Sequence, residues 1–294
     1  MSTTVEITRE SPAWRVLVET TKPRLSGLVL FTVYVGFAAA APNWTNVWLL
    51  IHAMVGTAFI AGGANAFNQV MERDLDALML RTRHRPLPSG RVSPLEVTTF
   101  ASAIAFAGLL ELLLFVNPLT AVLGGTALGL YVLLYTPLKQ STPLNTLVGA
   151  VVGAIPPLMG WTAARGACGI GGWALFAILF VWQLPHFLSI AQLYREDYAR
   201  GGFRMLSVVD ESGERTRRQV FLMAALLVPV SLLPALAGLA GRTYAFAALL
   251  LGILFLVSCR WRDVAAQDRD ARRSFIASII YLPLLLAFLL ADGA

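Results

Sequence analysis

Residues 47–76 read VWLLIHAMVGTAFIAGGANAFNQVMERDLD. From Val47 to Val70 the only titratable side chain is His52, and a helix of that length, rising 1.5 Å per residue, crosses the roughly 30 Å apolar core of a bilayer. An open strand would leave its backbone groups unpaired in lipid, so the run reads as a membrane-spanning helix. It delivers three carboxylates within five residues, Glu72, Asp74 and Asp76, to an aqueous edge.

The same pattern recurs outward from this stretch. Nine apolar runs, at approximately 25–41, 47–70, 94–116, 119–138, 144–163, 172–192, 219–240, 243–259 and 274–291, are separated by turns or charged loops. They predict an all-α integral membrane protein, nine transmembrane helices in a single bundle with the N-terminus in the cytoplasm. Composition agrees: 57% hydrophobic, 14% charged and a mean hydropathy of +0.68, against roughly 45–50% apolar and 25% charged in soluble domains. No long Pro/Gly/Ser linker divides the chain, so residues 1–24 read as a cytoplasmic segment and 25–291 as one transmembrane domain. Glu6, Glu10 and Glu19 precede the first span, which argues against a cleaved signal. Two long charged loops, 71–93 and 193–218, lie four helices apart and suggest a remote internal repeat.

The net charge of +6 reports topology rather than nucleic-acid binding. With the N-terminus inside, Arg9, Arg15, Lys22 and Arg24 fall on the inner side, as do Arg73, Arg81, Arg83, Arg85, Arg91 and Lys139. The cations of 193–218 and 260–273 join them, and only Arg165 and Arg242 of the 23 Lys and Arg fall outside. The positive-inside rule then fixes the orientation. Cys168 falls in an outer loop and Cys259 near an inner boundary, so the bilayer keeps the two thiols apart.

If the helix continues past residue 70, Asn68, Glu72 and Asp76 stand at i, i+4 and i+8 on one face. The macrodipole at a helix C-terminus opposes each carboxylate by about 0.3–1 kcal/mol, so the array calls for a cation. A solvated helix end relieved by Arg73 would explain the charge but not the facing. Mg²⁺ takes one or two protein carboxylates and shares its other positions with water and phosphate oxygens, which suits Glu72 and Asp76. Arg81 and Arg85 follow in a proline-stiffened turn, and their planar guanidinium groups suit a diphosphate. Lys139, in the short turn after span four, and Asp197, after span six, fall on the same side; Asp197 is placed to complete a two-sided metal clamp.

These residues resemble the UbiA superfamily of intramembrane aromatic prenyltransferases, whose first acid-rich motif is an Asn followed at four-residue steps by two acids. Within it the likeness is to the haem O synthase branch. It is carried by Thr21-Lys22-Pro23-Arg24, Asn65 through Gln69, Arg81-Thr82, Arg85-Pro86-Leu87, Tyr135 through Lys139, Gly153 through Trp161 and Trp182 through Phe187. It covers roughly residues 20–206. Two departures stand out: Leu193 occupies the position four before Asp197, where other branches carry a paired acid, and Gln140 follows Lys139 where relatives often carry a second base.

The resemblance implies a Mg²⁺-dependent transfer of farnesyl from farnesyl diphosphate to a vinyl group of haem B, the haem being substrate and not prosthetic group. Asn68, Glu72, Asp76 and Asp197 would be the catalytic metal-holding set, Arg81, Arg85 and Lys139 the diphosphate contacts, and Asn65, His186 and Tyr198 the acceptor contacts. His186, directly after Pro185 within span six, has four readings: iron ligand, propionate contact, proton carrier or interhelical hydrogen bond. The implied setting is a bacterial inner (plasma) membrane with the site toward the cytoplasm, no nucleic acid, and a downstream haem enzyme or oxidase assembly partner. The alternatives are a sister prenyltransferase acting on a quinone precursor or another aromatic, and a membrane transporter. Transporters place ionisable groups near the bilayer midplane, whereas these acids cluster at one edge. Glu111, toward the outer end of span three, is the exception and is expected to snorkel or to find a polar partner; His52 is expected to be interfacial.

Overall fold

A computed structural model describes residues 12–41, 46–261 and 267–293. Glu6, Arg9, Glu10 and Arg262 lie outside them. The regular structure among the described residues is helical: α1 Ala13–Thr20, α2 Pro23–Ala40, α3 Val47–Met71, α4 Arg73–Leu78, α5 Pro94–Phe115, α6 Pro118–Ser141, α7 Asn145–Arg165, α8 Gly169–Leu193, α9 Arg195–Arg200, α10 Leu206–Val209, α11 Glu214–Leu236, α12 Arg242–Ser258 and α13 Gln267–Asp292. Eight of these are long and apolar enough to cross a membrane, and α12, equally apolar, has 17 residues. The nine spans expected from the sequence are therefore eight full-length helices and one shorter one.

Helix ends follow from local chemistry. Asn46 caps α3 by accepting from the Leu49 N–H, and Ser93 with Glu96 forms a reciprocal capping box behind Pro94 at the start of α5. Asn117 caps α6 through the Thr120 N–H, and its amide also donates to the Thr162 carbonyl, which ties α6 to α7. Helix α7 stops at Gly166, in the left-handed conformation at φ 69°.

Lipid tails supply no hydrophobic force between helices, so close packing rests on small residues. Helices α2 and α7 cross so tightly that a Cβ on Gly36 would overlap the Pro157 carbonyl, and one on Gly160 the Val33 carbonyl. A Cβ on Gly108 of α5 would sit 2.7 Å from the Gly56 carbonyl oxygen of α3. Helices α7 and α8 are the most enclosed spans, while Leu133, Ile170, Leu236 and Phe246 project outward, as lipid-facing side chains do.

The suspected repeat has a structural counterpart. Both α3 and α8 run 25 residues, break at one residue (Glu72 at φ −97°, ψ 5°; Tyr194 at φ −113°, ψ 26°) and resume as a six-residue helix carrying a buried aspartate, Asp76 or Asp197. The segments beyond the breaks interlock. Met79 is buried with Ala191, Phe203 and Met205, and the Arg204 N–H donates to the Lys139 carbonyl at 2.7 Å. The first loop, the α6–α7 turn and the second loop thus close over one end of the bundle.

Candidate active site

The break at Glu72 leaves the predicted face intact. The Glu72 N–H still reaches the Asn68 carbonyl at 3.0 Å, and the Asp76 N–H the Glu72 carbonyl at 2.7 Å, so the i, i+4 register passes through the bend. Asn68, Glu72 and Asp76 are all buried, with Asp76 fully removed from the surface. Each meets a cation: Lys22 Nζ donates to Asn68 Oδ1 at 3.1 Å, Lys139 Nζ to Glu72 Oε1 at 2.7 Å and Arg85 Nη1 to Asp76 Oδ2 at 2.6 Å. The polar face of one helix is therefore held by groups from the first-span entry, the end of α6 and the first loop.

Buried ion pairs add little net stability, because desolvation offsets their attraction. Here cations outnumber acids, since Asn68 is neutral and Lys22 has no carboxylate of its own. Burial, with Arg85 and Lys139 close by, pushes the Lys22 ammonium down to about 7 even though Glu72 and Asp76 oppose the shift. With Lys22 protonated the site carries more positive charge than its acids neutralise, the electrostatic condition for taking up an anion, and a bound anion would in turn favour the protonated form. Lys22 is also the one described non-glycine residue in the left-handed region, at φ 52°. That conformation costs about 1 kcal/mol or more and persists where the surroundings impose it.

A divalent cation fits the same residues. Asp76 Oδ1 is buried with no protein partner, an unmet acceptor of the kind a metal or its water satisfies. Among the described residues no three His, Cys, Asp or Glu side chains group closely enough to hold a metal by themselves. Glu72, Asp76 and Asp197 are thus not gathered into one three-carboxylate cluster.

The remaining predicted residues divide. Asp197 is buried, and its carboxylate accepts from the backbone N–H groups of Leu80 at 3.2 Å and Arg81 at 3.3 Å, with Arg200 Nη1 at 3.5 Å. It fastens the arginine loop to α9. Arg81 is exposed, with its guanidinium carbon 5.1 Å from the centre of the Tyr194 ring. Tyr198 packs edge-on against Phe203, whose ring centre lies 5.8 Å from Lys139 Nζ, and the Tyr135 ring centre lies 4.6 Å from the same ammonium. Asn65 turns toward the first-span entry and donates to the Thr21 carbonyl at 3.1 Å. His186 joins none of these pairs. It stacks between Trp182 and Phe275 and shares a 2.7 Å hydrogen bond through Nδ1 with Ser278 of α13, while no described protein group takes Nε2.

Lys22 and Thr136 are candidate site residues to which the sequence reading gave no role, although both fall within motifs that carry the resemblance. By charge pattern alone a lysine before a first span looks like an ordinary positive-inside residue; the contact with Asn68 sets it apart. The π-helical turn Leu130–Tyr135 in α6 was equally hidden, although such turns are frequent at functional sites.

A helical membrane bundle that buries acids and excess cations at one edge has the architecture of an intramembrane prenyltransferase, and the chain belongs to the UbiA prenyltransferase family, whose profile matches residues 29–288. It is 44% identical over 288 residues to a protoheme IX farnesyltransferase of Solibacter usitatus, covering 95% of this chain and 98% of that one. It is 49% identical over 266 residues to the protein of the same name from Anaeromyxobacter sp. (strain Fw109-5), covering 90% and 88%. Among solved structures it is similar to a UbiA homologue from Archaeoglobus fulgidus bound to DMAPP and Mg²⁺, with a TM-score of 0.68 and 16% identity over 91% of this chain and 99% of that one. That likeness is one of fold.

Proposed function

We propose that this chain converts haem B to haem O by moving a farnesyl group from farnesyl diphosphate to a haem vinyl group, with hydration and release of diphosphate. The observation that carries the reading is the buried Asn68, Glu72 and Asp76 face, matched by three cations and left with an unpaired carboxylate oxygen. The acceptor follows from the relatives named protoheme IX farnesyltransferase, aligned along nearly the whole chain.

Bound Mg²⁺ would neutralise charge on the diphosphate as it departs. Asn68, Glu72 and Asp76 would hold it, with Asp197 as the candidate from the opposite loop. Arg85 and Lys139 would move from the protein's acids, and Lys22 from the Asn68 amide, to the diphosphate oxygens, and Arg81 would add a contact from the loop that Asp197 fastens. The donor's allylic C–O bond breaks with its electron pair leaving on the diphosphate, the vinyl terminus bonds to the allylic carbon, and a water oxygen bonds to the cationic carbon beside the porphyrin ring, losing one proton to solvent to give the hydroxyethyl substituent. Fifteen carbons and a porphyrin favour an apolar site at about 0.8 kcal/mol per buried methylene, which accounts for a site among membrane spans. His186 offers Nε2 to the haem, and Tyr198 and Asn65 are the further acceptor contacts. The setting is a bacterial inner membrane with the site on the cytoplasmic side, and haem O passes to a downstream haem enzyme or oxidase assembly partner.

Incubating the purified protein with haem B, farnesyl diphosphate and Mg²⁺ and identifying the haem by mass tests the reading. Haem O is expected, lost on chelation and restored by Mg²⁺. Prenylation of a quinone precursor with haem left unchanged would overturn it.

A further inference from the structure

We propose that Thr136 is a positioning residue that fixes which way the Asn68 amide faces, so that the oxygen and not the nitrogen of that amide is presented to the cation site. Thr136 is buried at the end of the π-helical turn, and its Oγ1 donates to the Tyr131 carbonyl at 2.8 Å. A hydroxyl has one proton. With that proton given to Tyr131, Oγ1 has only lone pairs left for Asn68, and it accepts from Asn68 Nδ2 at 3.2 Å. The amide is thereby turned with its NH₂ toward α6 and its Oδ1 toward Lys22.

The π turn makes this possible. In an α-helix the Tyr131 carbonyl would be taken by the N–H of residue 135; here the Thr136 N–H takes it instead, one residue further on, and the Thr136 hydroxyl joins the same oxygen. A donor-only ammonium on one side and an acceptor-only hydroxyl on the other leave Asn68 a single satisfied orientation. Among the amide's atoms only the oxygen binds a hard cation such as Mg²⁺. A flipped amide would aim its NH₂ at both the metal and Lys22.

This inference rests on the proposed function, and its test separates the two. Binding of farnesyl thiodiphosphate, which resists ionisation, is titrated against Mg²⁺ for the full-length wild type and for Thr136→Val, Thr136→Ser and Asn68→Asp, with thermal unfolding recorded for each. Thr136→Val keeps the side-chain shape and removes the hydroxyl. It should raise the Mg²⁺ needed for half-maximal donor binding by roughly threefold to tenfold, the weight of one neutral hydrogen bond. Thr136→Ser should stay near wild type. In the Asn68→Asp background, where either carboxylate oxygen serves, Thr136→Val should add little further change. A Thr136→Val protein that melts earlier but keeps the wild-type Mg²⁺ dependence would make the contact merely structural and overturn the inference alone. Absence of Mg²⁺-dependent binding in the wild type would overturn the proposed function, and this with it.

Discussion

Asp76 gives one buried oxygen to Arg85 and leaves the other unpaired, while Glu72 is spoken for by Lys139. Neutralising either acid removes a candidate metal ligand and strands a buried cation. Glu72→Gln and Asp76→Asn are therefore expected to insert into the membrane yet lose about 100-fold or more in turnover, since electrostatic stabilisation of a leaving group is worth several kcal/mol and each 1.36 kcal/mol is tenfold. Haem O formation at limiting Mg²⁺ measures this, and near-normal rates would remove the two acids from the chemistry. The arginines are not equivalent: Arg85 is half-buried on Asp76, and Arg81 lies exposed over Tyr194. Arg85→Ala should raise the donor KM more than Arg81→Ala does. Far from these groups, Glu111 has the polar partner expected of it. It binds His52 Nδ1 at 2.6 Å, and the imidazole stacks on Phe115, so the pair links α3 and α5 rather than lining a path.

At the scale of elements, the α2–α7 crossing is the most demanding contact in the bundle, because backbone meets backbone at Gly36 and Gly160. A methyl group there has no flexible side chain to displace. Gly160→Ala should lower the melting temperature in detergent, in line with the roughly 1–3 kcal/mol cost of overpacking. Gly27, also in α2, has open space where a Cβ would go. Gly27→Ala should be neutral or mildly stabilising, since Ala is favoured over Gly in helices by about 1 kcal/mol. Equal melting of the two variants would show that the crossing tolerates separation.

For the whole molecule, the charge asymmetry predicts that the interlocked loops and the acid face lie on the cytoplasmic side. Cys168, partly exposed before α8, would then face outward, whereas Cys259 is buried. An impermeant thiol reagent on intact cells should label Cys168. A cysteine introduced at exposed Glu211 should stay unlabelled until the membrane is opened. Labelling of Glu211→Cys in sealed cells would invert the orientation.

The helical spans, eight full-length and one shorter among the described residues, and the acid face were legible in the sequence, because each depends on spacing along one helix or on composition: the apolar runs, and Asn68, Glu72 and Asp76 at four-residue steps. Tertiary structure decided what spacing cannot encode. It brought Lys22, Lys139 and Arg85, distant in the chain, onto a single face. It also set the Asp197 carboxylate on the Leu80 and Arg81 amides, turned His186 toward Ser278 of the last span, and formed the π turn that orients Thr136. Those outcomes hang on which helices pack together, and in lipid that is settled by shape and hydrogen bonding between helices rather than by the hydrophobic pattern each carries.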